Sequence, residues 1–383
     1  MKPVMVVLFV DALGWRLCEA HPGFAPGLQH RRAVATILGF SSGALPTAFT
    51  GRMPEEHGRF LMYRRAGHTS VFAGFERLAW LPKRLQRSWR LSRLLTRLVE
   101  QRGVRGYFNL YDIPPARLAA FDLPEQDDIF RPGGLPVDSI WDSLERRGLA
   151  WQGWNWRTRE RDALAALLER VRMGNEDMLF LYTAELDATL HHEGSKGVGV
   201  QSKLDDYNAW LASVQQAAGE RGRPLWLYLC SDHGMVDVTR TSDVRAVLAR
   251  LPERDGRDYD VFLDSTMARF WWRRDGVRER VRSALGQAQG GHWLRPEELS
   301  AAQCAFADHA YGEDLFLLDP GVLMVPSYMG SRPLAAMHGY DASHPDMVAL
   351  LASNRPIPVG VSHLHHLRGF LEHELDALQA VVA

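Results

Sequence analysis

Three short apolar runs stand out along the chain, Val4–Val10, Met178–Thr183 and Leu225–Cys230. Each is close to continuous instead of alternating, the pattern of a strand covered on both faces in a largely parallel sheet. Each also hands over at once to polar residues: Asp11 after the first, Glu185 and Asp187 after the second, and Ser231, Asp232 and His233 after the third. Ligands of open α/β sheets gather at the carboxyl ends of the strands, so three strands delivering carboxylates there predict one site. Helical periodicity in Arg159–Arg172, Ser202–Glu220 and Phe370–Val382 predicts helices that cover the sheet. There is no internal repeat and no low-complexity tract.

The stretch 66–136 has a different texture. Between Arg77 and Arg105 the chain is rich in arginine and holds one acid, Glu100. On a helical wheel Leu85, Trp89, Leu91, Leu95, Leu98 and Val99 fall on one side, and Arg87, Arg90, Arg93 and Arg97 on the other. Two readings are open: a cap helix packed by its leucines with a solvated basic face, or a basic amphipathic surface that meets an anionic membrane or covers an anionic substrate. We expect one catalytic domain over 1–383 with 66–136 as an Arg-rich cap or insertion within it.

Composition narrows the classes. With Lys+Arg 45 against Asp+Glu 46, bulk charge gives no reason to expect a nucleic-acid partner. The cysteines, Cys18, Cys230 and Cys304, are few and far apart, which argues against a disulfide framework and a cysteine zinc site. The first apolar run ends at Asp11 with no small-residue cleavage site behind it, so it reads as a strand and not a signal peptide. No apolar stretch approaches the roughly 18 residues that span a bilayer. A cytoplasmic location is the expectation.

Five blocks carry candidate chemistry. Asp187 and His191 stand four apart, a spacing that lets a carboxylate and an imidazole face one point. Asp232-His233-Gly234-Met235 follows a strand directly, with Gly234 permitting a sharp turn. Asp11 closes the first strand, a place where a lone Asp is also a common turn residue. Met337-His338-Gly339-Tyr340-Asp341 lies late in the chain. Finally, Gly39 to Gly58 is rich in small residues that let backbone approach closely, and its Ser41 and Ser42 sit where a helix N-terminus would begin. That end of a helix favours a phosphate or an alkoxide, and it equally favours a serine as a plain cap. Together the blocks supply three carboxylates, three imidazoles and a hydroxyl, the parts for two metal ions and an activated nucleophile.

The same five blocks, in the same order, resemble the type I phosphodiesterase/nucleotide pyrophosphatase family of the alkaline phosphatase superfamily. Thr50 to Gly58 matches its Thr-Gly-x-x-Pro-x-x-His-Gly block, Asp187, His191 and Gly194 its Asp-x-x-x-His with a following Gly, and Asp232 to Met235 its Asp-His-Gly-Met. His338 to Asp341 matches its His-Gly-Tyr-Asp, and Pro136 to Trp156 is similar to its second strand region. The resemblance implies an alkaline-phosphatase-like fold, a three-layer α/β/α sandwich around a mostly parallel central sheet. It implies Ser41 as nucleophile, Ser42 being the competing position one residue on. Asp187, His191 and His338 would hold one metal. Asp11, Asp232 and His233 would hold the other, with Ser41 bound to it. Zn2+ is the implied ion, and Mn2+ would tolerate the same nitrogen and oxygen ligands.

The chain departs from the pattern in places. Leu61-Met62-Tyr63 stands where nucleotide-cleaving members carry an Asn that helps hold a phosphoryl oxygen. No equivalent of the phosphomonoesterase Arg is identifiable, and Gly43 and Leu45 replace the Pro and Arg of a sulfatase signature. The expected function is hydrolysis of a phosphodiester or pyrophosphate bond through a phosphoserine on Ser41. The alternatives are a phosphomonoesterase, a phosphoryl transferase, or a non-catalytic binding protein on this scaffold. Substrates would be small-molecule or lipid-linked phosphate esters, with Ser42, Tyr182 and Glu185 as candidate contacts and with peripheral membrane contact through 77–105. The oligomeric state is open. His363, His365 and His366 form a further patch that could bind metal only with additional ligands. His57 and His344 read as structural or surface residues, and Trp154 and Trp156 as core or rim packing, with stacking on a base or sugar as the other reading.

Overall fold

The computed structural model describes residues 2–86, 88–287 and 290–382. Its centre is a six-stranded sheet in the spatial order His30–Val34, Ala349–Ser353, Leu225–Cys230, Val4–Val10, Met178–Thr183, Trp151–Trp154. The last four run parallel. Ala349–Ser353 alone is reversed, antiparallel to both of its neighbours. The register pairs Val10 with Thr183 and Phe9 with Cys230, so the carboxyl ends of the three predicted strands finish along one edge.

The continuous apolar runs follow from burial on both sides. Val4, Val6, Leu8 and Val10 face one core with Leu167, Leu204, Tyr207 and Leu211, from helices Glu160–Met173 and Val198–Glu220. Met5, Val7 and Phe9 face a second core with Phe49, Trp141 and Leu371, from helices Ser41–Thr50, Ile140–Arg146 and His366–Val382. Two helical layers therefore sandwich the sheet, as expected for the alkaline-phosphatase-like fold. The helix predicted at Arg159–Arg172 forms one residue later, at Glu160–Met173, and the other two keep their predicted ends but begin four residues earlier, at Val198 and His366.

A second, antiparallel sheet orders Tyr259–Leu263, Met267–Trp272, Asp314–Leu318 and Gly291–Trp293. Its core is shared with the Arg-rich region: Phe72, Leu95, Val99, Leu110 and Phe121 pack with Phe262 and Trp271. The helical wheel drawn for that region holds only in part. In helix Trp89–Gln101, Leu95 and Val99 are buried and Leu91 and Leu98 pack against the core. Trp89 and Leu85 point to solvent, at 66% and 53% exposed. The chain forms three short elements here, Phe75–Trp80, Lys83–Gln86 and Trp89–Gln101, so one wheel cannot describe both ends. Arg87 lies outside the described residues. Among the described residues no helix is long and apolar enough to cross a membrane.

Candidate metal centre

Asp11 leaves the end of the first strand, its backbone N–H held by the Thr183 carbonyl. Asp232 and His233 leave the end of Leu225–Cys230. Asp187 and His191 project from helix Glu185–Glu193, where four-residue spacing puts them on one face. His338 follows Ala336–Met337, which pairs with Val236–Asp237 and so lies just beyond the Asp232–His233 turn. Gly234 packs its Cα face against the Asp346 carbonyl, 2.1 Å from where a Cβ would stand. Its role is this close approach, and not the special backbone angle expected from the sequence, since it is not among the residues with positive φ.

Two groups of ligand atoms result: Asp187, His191 and His338, and Asp11, Asp232 and His233. In the first, Asp187 lies 3.4 Å from His191 Nε2 and 3.6 Å from His338 Nε2. In the second, His233 Nε2 lies 3.4 Å from Asp11 Oδ1 and 3.3 Å from Asp232 Oδ2. A tetrahedral ion with metal–ligand bonds of about 2.0–2.1 Å sets its ligand atoms roughly 3.3 Å apart. The rings of His233 and His338 stack with centroids 4.0 Å apart, which places the two groups side by side.

The remaining atoms of these side chains are spoken for. Tyr182 OH donates to Asp11 Oδ2 at 2.5 Å. The backbone N–H groups of Ala12 and His233 donate to Asp232 Oδ1. His191 Nδ1 and His233 Nδ1 each lie 2.9 Å from a backbone carbonyl, of Ala336 and Gly234. An Nδ1–H donated to a carbonyl leaves the Nε2 lone pair free, the arrangement typical of metal-ligating histidines. What is left over is Asp11 Oδ1, Asp187 Oδ1, Asp232 Oδ2 and His338 Nδ1, all buried and without a partner. Buried polar atoms are rarely orphaned in this way. Three of the four are carboxylate oxygens, one from the Asp187 group and two from the Asp11–Asp232 group, so the residues fit divalent metals.

Electrostatics agrees. Burial, then the charges of Asp232 and Asp187, push the Asp11 carboxyl well above its usual range. For Asp187 burial works upward too, but His191, His338 and His233 outweigh it and hold the group at about 2. Burial and the neighbouring His233 push His338 well down, so it stays neutral and able to coordinate.

Ser41 opens helix Ser41–Thr50 after the Phe40 N-cap, and its Oγ lies 3.0 Å from His233 Nε2. The helix reaches this position because Gly43 lets it touch the Phe60 carbonyl, 2.5 Å from where a Cβ would stand. Ser42 is the next residue round. Its buried Oγ has no partner, and it lines a cavity of about 310 Å³ together with Ser41, Asp11, Asp187, His191 and His338. Tyr182 also lines that cavity, although its hydroxyl is engaged by Asp11. Glu185 does not: its carboxylate is tied to Lys203 on the neighbouring helix and is half exposed. The first turn of helix Glu185–Glu193 directs it away from the face that carries Asp187 and His191.

Met62 and Leu61 line the cavity where the resemblance led us to look for an Asn. His57 is buried, accepts the Arg59 N–H on Nδ1, bonds Thr47 through Nε2, and is pushed down to about 3 by burial and by Arg59. His344 caps a short turn. His363 and His365 pair with each other, and His366 Nδ1 accepts backbone N–H groups at its helix start. Trp154 packs beside a core, and Trp156 stands at the rim against Tyr107. The cavity also contains Arg59, Tyr107, Tyr111 and Glu125, which the sequence did not single out. Only the closeness of Arg59 to the His57-Gly58 block could have flagged it.

A sequence model of the Type I phosphodiesterase / nucleotide pyrophosphatase family matches residues 5–341. No curated protein matches the chain by sequence. Among solved structures, murine ectonucleotide pyrophosphatase/phosphodiesterase 5 superposes with a TM-score of 0.66 at 17% identity, covering 98% of this chain and 95% of that one. An inactive form of the murine protein in complex with AMP gives 0.65 at 18%, and the human counterpart 0.65 at 15%, each with the same coverage of 98% and 95%.

Proposed function

This chain belongs to the type I phosphodiesterase/nucleotide pyrophosphatase family, hydrolases of small phosphate esters, and from that premise we propose that it cleaves a phosphodiester or pyrophosphate bond with Ser41 as nucleophile. The observation that carries the reading is the pair of carboxylate–imidazole groups with orphaned Asp11, Asp187 and Asp232 oxygens, one group setting His233 Nε2 3.0 Å from the Ser41 hydroxyl at the N-terminus of an α-helix. Asp187, His191 and His338 would hold one divalent ion, and Asp11, Asp232 and His233 the other, with Ser41 Oγ beside the second. When bound, such ions supply Lewis acidity to the attacking and departing oxygens. Zn2+ suits the mixed imidazole–carboxylate donors and the spacing, and Mn2+ would be the substitute.

The chain's own part is positional. Ser41 loses its proton and forms a bond from Oγ to phosphorus as the bond from phosphorus to the leaving oxygen breaks. Water then displaces Oγ, which regains its proton and releases a phosphate monoester. The free backbone N–H groups at the start of Ser41–Thr50 lie where the phosphoryl oxygens gather charge. Tyr182 fixes the orientation of Asp11.

The test is turnover of bis-p-nitrophenyl phosphate beside p-nitrophenyl phosphate, with Zn2+ or EDTA, by wild type and Ser41→Ala. A metal- and Ser41-dependent preference for the diester is expected. Full turnover by metal-free protein would overturn the reading. A preference for the monoester would replace it with a phosphatase, and tight metal binding without turnover of either ester would favour a binding protein.

A second observation favours substrates presented at a lipid surface. Trp80 (78% exposed), Leu85, Trp89 and Leu94 (53%) are open to solvent within one stretch that also carries Arg77, Arg84, Arg90, Arg93 and Arg97. Indole rings with arginines are the side chains that settle at an anionic membrane interface. Vesicles containing phosphatidylserine should pellet the protein where phosphatidylcholine vesicles do not, and Trp80→Ser with Trp89→Ser should abolish the difference. Equal pelleting with both lipids would remove membrane contact from the proposal.

A further inference from the structure

Of the three carboxylates in the candidate metal centre, Asp187 is held differently from the others. Tyr182 donates to Asp11, and two backbone N–H groups donate to Asp232. Asp187 Oδ1 has no partner, and Oδ2 faces the His191 ring inside the centre. Its position therefore comes from the backbone of helix Glu185–Glu193. The far end of that helix is tied down: the His191 carbonyl accepts the Ala335 N–H at 2.9 Å, and the Ser195 N–H donates to Asp237 Oδ1 at 2.7 Å. The near end, whose first turn carries Asp187, starts from Ala184, which has no side-chain oxygen to cap it.

A buried polar cluster behind the near end takes the place of a cap. The Glu185 N–H makes a long hydrogen bond, 3.4 Å, to Thr183 Oγ. The Thr183 hydroxyl donates in turn to Glu160, the first residue of helix Glu160–Met173. Glu160 is 7% exposed. Its Oε2 also accepts Tyr207 OH at 2.6 Å, and its Oε1 accepts Lys203 Nζ at 2.5 Å. Lys203 donates as well to Glu185, the first residue of the ligand helix, so its ammonium bridges two carboxylates. A carboxylate this buried is costly unless it is paired and hydrogen-bonded, and Glu160 has three donors. Tyr207 and Lys203 both stand on the long helix Val198–Glu220, which anchors the cluster.

We propose that Glu160 and Lys203, acting through Thr183 and Glu185, are positioning residues for Asp187: they fix the first turn of helix Glu185–Glu193 and so set where that carboxylate stands. The inference rests on the reading of Asp187, His191 and His338 as metal ligands. Glu160 orients the Thr183 hydroxyl so that its lone pair meets the Glu185 N–H. Lys203 holds the Glu185 side chain back against helix Val198–Glu220, on the side away from the centre. Without the clasp the first turn is free to fray, and Asp187, with no donor of its own, moves with it. The Asp11 group is insulated, because Tyr182 and the backbone N–H groups of Ala12 and His233 fix its carboxylates directly.

The test is the Zn2+ affinity of the full-length protein, read as two stepwise constants by competition with a fluorescent chelator. His338→Ala, which removes a ligand of the Asp187 group, marks the step that belongs to it. Lys203→Met and Thr183→Val should each weaken that step about tenfold and leave the other within about twofold, the lower end of the usual effect of losing support behind a metal ligand. Lys203→Arg, whose guanidinium can still bridge two carboxylates, should restore most of the affinity. Should Lys203→Met not fold, Glu185→Gln at its half-exposed position should keep the wild-type thermal transition and weaken the same step about threefold, the scale of a partly solvated ion pair. A cluster that merely joined two helices would lower the melting temperature of these variants and leave the ratio of the two constants unchanged. That outcome, or equal loss at both steps, overturns the inference and leaves the proposed reaction standing. Wild-type protein that binds no Zn2+ would overturn both.

Discussion

At the scale of single residues, the candidate metal centre ties some of its atoms to the protein and leaves others free for the proposed ions. Tyr182 is the clearest case, because its hydroxyl takes up one Asp11 oxygen and leaves the other free. Tyr182→Phe should therefore weaken metal retention by about 10- to 100-fold, the usual effect of losing a partner of a ligand, as read by competition with a fluorescent chelator. Ser41→Ala should keep its metal content and lose turnover by a factor on the order of 10³ or more, as read by elemental analysis beside steady-state rates. Glu125 gives a pH-dependent outcome. Burial raises its carboxyl to about 7, with the Tyr107 N–H and Arg59 opposing. The native state then holds a proton that the unfolded chain releases near pH 4.5. The stability linked to that proton is fully present below that pH and is lost as pH rises through about 7. Glu125→Gln should accordingly be more stable than wild type at pH 8, by up to about 3 kcal/mol at 1.4 kcal/mol per pH unit. The gain should vanish toward pH 4.5 in urea melts.

At the scale of elements, legibility tracked burial. Val4–Val10, Met178–Thr183 and Leu225–Cys230 were readable because both faces meet a core, so no polar residue interrupts them. His30–Val34 was not, because it lies at the sheet edge, with His30 and Ala33 exposed and Arg31 and Arg32 half-buried. Nothing local in Ala349–Ser353 signals that it runs against its neighbours. The ligand motifs were legible because each follows a strand or shares a helix face, whereas Arg59 and Glu125 meet only through tertiary packing. The small residues around Ser41 were legible as sites of close approach, but Gly43 approaches the Phe60 carbonyl and not a ligand. Gly43→Ala should thus displace the start of the nucleophile helix, costing about 1–3 kcal/mol in stability as overpacking does and lowering kcat more than it raises KM. Unchanged kinetics would mean that the loop carrying Phe60 gives way instead.

At the scale of the whole molecule, the metal sites tie together parts of the chain that are far apart in sequence. Anything that binds only the folded form stabilises it by mass action. Chelation should lower the melting temperature, and restoring Zn2+ should raise it in proportion to the logarithm of the free ion, with about 4 kcal/mol gained at a thousand times the dissociation constant. A melting temperature indifferent to EDTA would separate the carboxylate cluster from metal binding.

The same layout bears on how the protein comes to be metallated. Synthesis makes Asp11 first and His338 only after most of the central sheet, while Ala349–Ser353, which lies between His30–Val34 and Leu225–Cys230, comes later still. A nascent chain past His233 therefore already holds Asp11, Asp232 and His233, while the Asp187 group stays one ligand short until His338 is made. Ions met during translation would find the two groups unequally complete, and full occupancy of both waits for His338. Metal selection then falls to whatever supply the completed protein encounters, and a chain stalled before His338 would have only two of the three protein ligands for the Asp187 ion.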